Sequence, residues 1–195
     1  NPNAIKVFNE KIFAMEFIDL MPPTIISAAS ERIIEFLEIH KEIVIKPLNG
    51  MGGDNIYKVS LEDQPSLEKV KILTQNSKIQ IIGQKFLPKI VEGDFRILVI
   101  DGKPFEYCLA RIPKDGSFLG NLAKGGTGIA KKITPNQKEI AEIVGARLKS
   151  ENILFAGIDI IDDKLTEINI TSPTCAVEIY NQTGENPVAR IFESL

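Results

Sequence analysis

Apolar residues recur at near-helical spacing over residues 5–20, with Val7, Phe8, Ile12, Met15 and Phe17 towards one side, and Pro22-Pro23 stops the pattern. In Ser30-Glu31-Arg32-Ile33-Ile34-Glu35-Phe36-Leu37 the spacing predicts a second helix, its first amides capped by the Ser30 hydroxyl and its buried stripe made of Ile33, Ile34 and Leu37. Strand-like runs follow at residues 43–46, 55–60 and 79–84, with a helix predicted over 67–75. The second half changes to hairpins. Residues 95–100 and 103–111 flank Asp101-Gly102, a pair suited to a tight turn because both positions tolerate positive φ. Thr134-Pro135 opens a helix through Lys149, with threonine as cap and proline in the first turn. Residues 153–161 and 165–171 then form a last hairpin around Asp162-Asp163. Helices together with antiparallel hairpins make the expected fold class α+β.

The 195 residues are 44% apolar and 25% charged, enough for a real core, and no Ser/Gly-rich or single-sign linker divides them, so one compact module is expected. The net charge of −3, with cations interleaved among acids, argues against nucleic acid as a partner. The apolar runs 97–100 and 153–161 are too short to span a bilayer and no signal segment opens the chain, so no membrane partner and a cytoplasmic location are expected. Cys108 and Cys175 read as free thiols. His40, the single histidine, reads as a helix-terminal residue rather than a catalytic base. The start at Asn1-Pro2, without methionine and directly before a helix-like pattern, is what a C-terminal part of a longer protein would show.

Three segments carry candidate chemistry. Lys46-Pro47-Leu48-Asn49-Gly50-Met51-Gly52-Gly53 follows a strand, and its glycines allow backbone amides to approach an anion. The segment leads into a strand rather than a helix, so it is a flap between strands rather than a P-loop; a plain hairpin turn is the alternative. On the last hairpin, a three-residue loop of Asp162-Asp163-Lys164 would set Asp159 opposite Glu167 and Gly157 opposite Asn169, putting three oxygen-bearing side chains on one face with Gly157 leaving room for a cation. A two-residue loop would scatter them, and a solvated polar face is the competing explanation. The Asp101-Gly102 turn brings Arg96 and Arg111 to one face, four positions apart across the ladder, suited to gripping phosphate or carboxylate; taken singly, each is better explained by a surface ion pair. The glycine-laden stretch 116–128 reads as a mobile loop.

Asn9-Glu10-Lys11, residues 46–53, Leu109-Ala110-Arg111-Ile112-Pro113, Gly120-Asn121-Leu122-Ala123 and Leu165-Thr166-Glu167-Ile168-Asn169-Ile170-Thr171-Ser172-Pro173-Thr174-Cys175 together resemble the ATP-grasp region of prokaryotic glutathione synthetases over essentially the whole chain. The resemblance implies an ATP-grasp fold of two α+β lobes whose antiparallel sheets enclose the nucleotide. It places a linker helix and a smaller lobe in residues 1–86 and a larger catalytic lobe in 87–195, with the family's N-terminal substrate domain outside this chain. It implies ATP with Mg²⁺, or Mn²⁺ in its place, and the small-molecule partners γ-glutamylcysteine and glycine, joined through an acyl phosphate, in a tetrameric homo-oligomer. For ATP it implies Lys11, Lys46, Gly50, Met51, Gly52, Gly53, Gln84, Lys85, Phe86, Leu87 and Asp94; for the metal, Asp159, Glu167 and Asn169. Arg96 and Arg111 would face the acyl phosphate, and Asn121, Gly126, Ser172 and Thr174 the substrate. Leu119 and Thr127 stand where the resemblance implies arginine. A different ATP-grasp ligase, or a nucleotide-binding module without chemistry, is the alternative.

Overall fold

The computed structural model describes residues 1–50 and 52–195. Helix α1 (Pro2–Val7) is followed by α2 (Glu10–Phe13) and a 3₁₀ segment, Ala14–Leu20, so the single helix expected over 5–20 is broken. The break is local chemistry. Asn9 stays extended, and its side-chain oxygen accepts from the amides of Lys11 at 3.0 Å and Ile12 at 3.1 Å, which starts a new helix at Glu10.

Residues Pro22–Pro88 form one compact unit. It contains β1 (Thr24–Ser27), α3 (Ser30–His40), β2 (Glu42–Pro47), β3 (Tyr57–Ser60), α4 (Gln64–Leu73) and β4 (Ile81–Lys85), with an antiparallel sheet in the order β1-β4-β2-β3. Ile33 and Leu37 of α3 and Val70 of α4 pack with Ile43, Ile45, Val59 and Ile81 of the sheet. Ser30 is not the cap of α3. It is the first helical residue, and its hydroxyl lies 2.8 Å from Thr74 Oγ1 and accepts from Ser77 Oγ at 3.1 Å. Buried tertiary partners take the hydroxyl that local pattern assigned to the helix end.

The second compact unit joins Asn1–Met21 to Lys89–Leu195. The expected division kept the opening residues with the smaller lobe; instead Ala4, Phe13, Ala14 and Met21 are part of the same core as Ile97, Ile158 and Leu165. The unit's strands are β5 (Asp94–Ile100), β6 (Lys103–Ile112), β7 (Thr127–Lys132), β8 (Phe155–Ile161) and β9 (Lys164–Asn169), with α5 (Pro135–Ser150) between β7 and β8, and α6 (Ala176–Thr183) and α7 (Pro187–Glu193) at the end. The sheet is antiparallel throughout, in the order β7-β6-β5-β8-β9. Ile97 and Val99 pack with Val144 and Leu148 of α5, whereas Leu98, Ile100 and Leu109 pack with Ile179 of α6. Burial on both faces explains the uninterrupted apolar run of β5.

Two irregularities set the site. After the expected Asp101-Gly102 turn, with φ of 48° and 75°, the β5–β6 register shifts between Ile97 and Val99, so Arg96 faces Leu109 and Arg111 faces Asp94. The arginines are thereby drawn to within two ladder positions, not four. In the β8–β9 hairpin the loop is the two-residue Asp162-Asp163, with Ile161 opposite Lys164, contrary to the three-residue expectation. A shift between Asp159 and Ile160 then restores Asp159 opposite Glu167 and Gly157 opposite Asn169. Thr166 occupies the irregularity; it is buried and its hydroxyl donates to the Asp159 carbonyl at 3.1 Å.

The β5–β6 turn sits directly on α5, where a Cβ on Gly145 would lie 2.2 Å from the Gly102 carbonyl oxygen. Capping of α5 is as expected, with Thr134 and Gln137 bonding each other's backbone amides. Gly145→Ala is expected to force the helix off the sheet and to destabilise the chain by about 2 kcal/mol or more, read as a lower urea midpoint.

Candidate active site

Asp159 of β8 is the centre of a buried cluster on the α6 side of the larger sheet. Its Oδ1 accepts from Arg96 Nε at 2.5 Å and lies 2.8 Å from Arg111 Nη2. Its Oδ2 accepts from Arg96 Nη2 at 2.8 Å and Asn169 Nδ2 at 3.2 Å. Both oxygens are therefore fully engaged. Arg96, Arg111 and Asp159 are only 5%, 4% and 6% exposed, so these are charge pairs removed from water rather than surface pairs. Arg111 Nη2 also approaches Asp94 Oδ2 at 2.6 Å, and its Nε donates to the Asp94 carbonyl at 3.3 Å.

The two aspartates respond oppositely. Burial would raise Asp159, yet Arg111 and Arg96 hold its carboxyl well below the usual range. Burial also raises Asp94, and here it prevails: with Arg111 shared and Asp159 repelling it, the carboxyl is pushed up to about 6. Asp94 Oδ1 is buried and, among the described residues, has no hydrogen-bond partner. Both guanidinium pKa values, though lowered by burial, end above their ordinary value because of Asp159.

From α2, the buried Lys11 reaches Glu167 Oε1 at 3.5 Å. Lys11, Glu167, Asn169, Asp159, Arg96, Arg111 and Asp94 thus lie in one unit, Lys11 among them although its segment was expected with the smaller lobe. Gly157 has a different use from the one expected. A Cβ there would lie 2.7 Å from Arg96 Cδ, so the glycine accommodates the arginine rather than a cation. Among the described residues no three His, Cys, Asp or Glu side chains cluster as a metal cage. Two carboxylates and an amide nevertheless match a hard divalent cation that keeps other oxygen ligands from water or phosphate. Glu167 and Asn169 are only partly buried, and Asp159 would serve by exchanging one of its present donors.

Thr174 is exposed, and its Oγ1 accepts from Arg96 Nη1 at 3.5 Å; Ser172 is exposed nearby in sequence. Asn121 holds the turn ending in Gly126, its carbonyl accepting from the amides of Lys124 at 2.9 Å and Gly126 at 3.3 Å. Within 116–128 the glycines do more than loosen the chain, since a Cβ on Gly120 would meet the Arg111 carbonyl oxygen at 2.4 Å and one on Gly126 the Gly120 carbonyl oxygen at 2.4 Å. In the unit Pro22–Pro88, Lys46 and Gln84 are buried, and strand register puts them on the sheet face opposite Ile43 and Ile45. Gln84 Nε2 donates to Thr24 Oγ1 at 3.0 Å. Lys85 is exposed, Phe86 lies under Lys58 Nζ at 4.0 Å and Leu87 is half-buried. Gly50 and Gly52 are exposed and Gly53 buried, with φ of 66° at Gly52 and 83° at Gly53. Met51 lies outside the described residues.

Residues 10–184 match the family described as prokaryotic glutathione synthetase, ATP-grasp domain. The chain belongs to this family. It is 47% identical over 179 residues to a glutathione synthetase of Pseudomonas aeruginosa, covering 91% of this chain and 56% of that protein. It is 43% identical over 195 residues to one of Nitrosomonas europaea, covering all of this chain and 61% of that protein. The chain thus spans little more than half the length of these relatives. In fold it is similar to the D-cycloserine synthetase DcsG, with a TM-score of 0.74 at 16% identity over 97% of this chain and 70% of that one. It is also similar to the ATP-grasp ligase PsnB, with a TM-score of 0.71 at 16% identity over 100% of this chain and 62% of that one. The likeness to PsnB, an ATP-grasp ligase, shows that fold here. Among the described residues no helix is long and apolar enough to cross a membrane. Thr166 and the Asp94–Arg111 pairing escaped the sequence reading. A threonine at an alternate position with Ile168 and Ile170 was the available signal for the first.

Because the Asp94 carboxyl is raised from 3.8 to about 6, the native state holds a proton there that the unfolded chain has lost. Stability should therefore fall as pH rises from about 4 to about 6, by up to about 3 kcal/mol from this group. Asp94→Asn is expected to flatten that slope in urea unfolding curves taken across the window.

Proposed function

We propose that this chain is the ATP-using catalytic part of a glutathione synthetase that joins γ-glutamylcysteine to glycine. The observation that carries the reading is the convergence of Arg96, Arg111 and Lys11 with the oxygen donors of Asp159, Glu167 and Asn169 on adjoining strands and α2. Three cations beside oxygen ligands suit a reaction in which a phosphoryl group passes to a carboxylate. The cysteinyl carboxylate attacks the γ-phosphorus of ATP and ADP leaves. The glycine amine then attacks the acyl carbon, phosphate departs, and the amide forms as the amine loses its proton.

In this reading Lys11 meets phosphate oxygens, and Arg96 and Arg111 orient the substrate carboxylate and the acyl phosphate. Asp159, Glu167 and Asn169 would hold Mg²⁺, or Mn²⁺, which when bound neutralises charge on the transferring group. Asp94 is assigned to the ribose, and Asn121, Gly126, Ser172 and Thr174 to the substrate. In the unit Pro22–Pro88 we assign nucleotide contacts to Lys46, to the glycines of 50–53 and to the 84–87 segment. High identity to glutathione synthetases over at least 91% of the chain supports this substrate pair.

The full-length enzyme should release phosphate from ATP with γ-glutamylcysteine in a glycine-dependent manner, and Glu167→Ala should lower that rate by about 100-fold. Release with other carboxylate and amine pairs but not this one would reject the substrates. Full activity of Glu167→Ala would reject the metal site.

A further inference from the structure

Glu10 neighbours Lys11 on α2 and belongs to none of the roles assigned above. Its Oε1 accepts three hydrogen bonds from the chain just beyond β9: from the Ile170 amide at 3.0 Å, the Thr171 amide at 3.0 Å and the Thr171 hydroxyl at 2.8 Å. Strand pairing stops at Asn169, so these are the first two amides beyond the ladder. A charged, acceptor-only side chain from the opposite end of the sequence supplies what a neighbouring strand no longer does.

The segment that Glu10 holds then runs across the arginine–carboxylate cluster. A Cβ on Gly157 would lie 3.3 Å from Pro173 Cβ, and Thr174 Oγ1 accepts from Arg96. Cys175 follows, buried and with φ of 86°, and leads into α6. Residues 170–175 are thus tied at Glu10 and again at Cys175, with the exposed Ser172 and Thr174 between the ties. If the Glu10 tie is cut, the segment keeps the buried Ile170 side chain and its α6 end but loses the three hydrogen bonds that fix the 170–171 backbone, and the position of both hydroxyls relative to Arg96 is less closely defined.

We propose that Glu10 is a positioning residue: it clasps the 170–171 backbone and so presents Ser172 and Thr174 to the carboxylate substrate beside Arg96. This rests on the function proposed above. The test uses the full-length enzyme with Glu10→Ala and Glu10→Gln, the latter retaining a carbonyl oxygen in place of Oε1. Hydrogen-exchange mass spectrometry of the peptide containing Ile170 and Thr171 reads the clasp directly. The KM for γ-glutamylcysteine and the Kd for ADP read its consequence. Glu10→Ala should speed exchange in that peptide and raise the KM about tenfold, the loss of one charge-assisted hydrogen bond, while ADP affinity stays within about twofold. Glu10→Gln should recover most of both changes. Unchanged exchange in Glu10→Ala, or a KM and an ADP Kd that rise together, would overturn the proposal. A wild-type enzyme inactive with γ-glutamylcysteine and glycine would instead sink the substrate assignment, with the exchange comparison still deciding whether Glu10 holds the segment.

Discussion

The pairing of the Asp159 carboxylate with two buried guanidinium groups is the interaction on which the candidate site depends. Arg96 comes from β5, Arg111 from β6 and Asp159 from β8, so one anion joins three strands at the ends nearest the site. Burying any of these charges alone would be costly, and the arrangement holds because each is matched. Asp94 shows the limit of that matching. It shares Arg111 with a stronger competitor, one of its oxygens has no hydrogen bond among the described residues, and its carboxyl is raised.

The local irregularities of the sheet serve this cluster. The shift in β5–β6 brings the arginines closer than a regular ladder would, and the shift at Thr166 returns Glu167 and Asn169 to the face of Asp159 after a turn that is one residue short. Gly157 gives its side-chain space to Arg96, and Gly120 lets the following loop lie against the Arg111 backbone. These features constrain backbone geometry to place charge, at the cost of regular pairing.

Segments some 160 residues apart in the chain meet at this site. Asn9 breaks the first helical run and restarts it as α2, which carries Glu10 to the 170–171 backbone and Lys11 to Glu167. The short α2 therefore depends on tertiary anchors as much as on its cap, since four residues are too few for a helix to persist by propensity.

What the amino-acid sequence determined by itself follows from short-range rules. Apolar periodicity marked α3, β2, α4 and the hairpin strands β5, β6, β8 and β9, Thr134-Pro135 marked the start of α5, and Asp101-Gly102 marked a tight turn, whereas β1, β7, α6 and α7 carried no comparable signal. Alternation along β9 put Glu167 and Asn169 on one face, because a strand assigns faces without knowledge of the rest, but their register against Asp159 needed the shift in the ladder. Tertiary structure decided the remainder. Ser30 left its helix cap for buried hydroxyls, the N-terminal helices joined the larger sheet's core, and both hairpins reached their registers through bulges. Each outcome turns on contacts between residues far apart in the chain, where burial and charge pairing outweigh local preference by amounts that no sequence window contains.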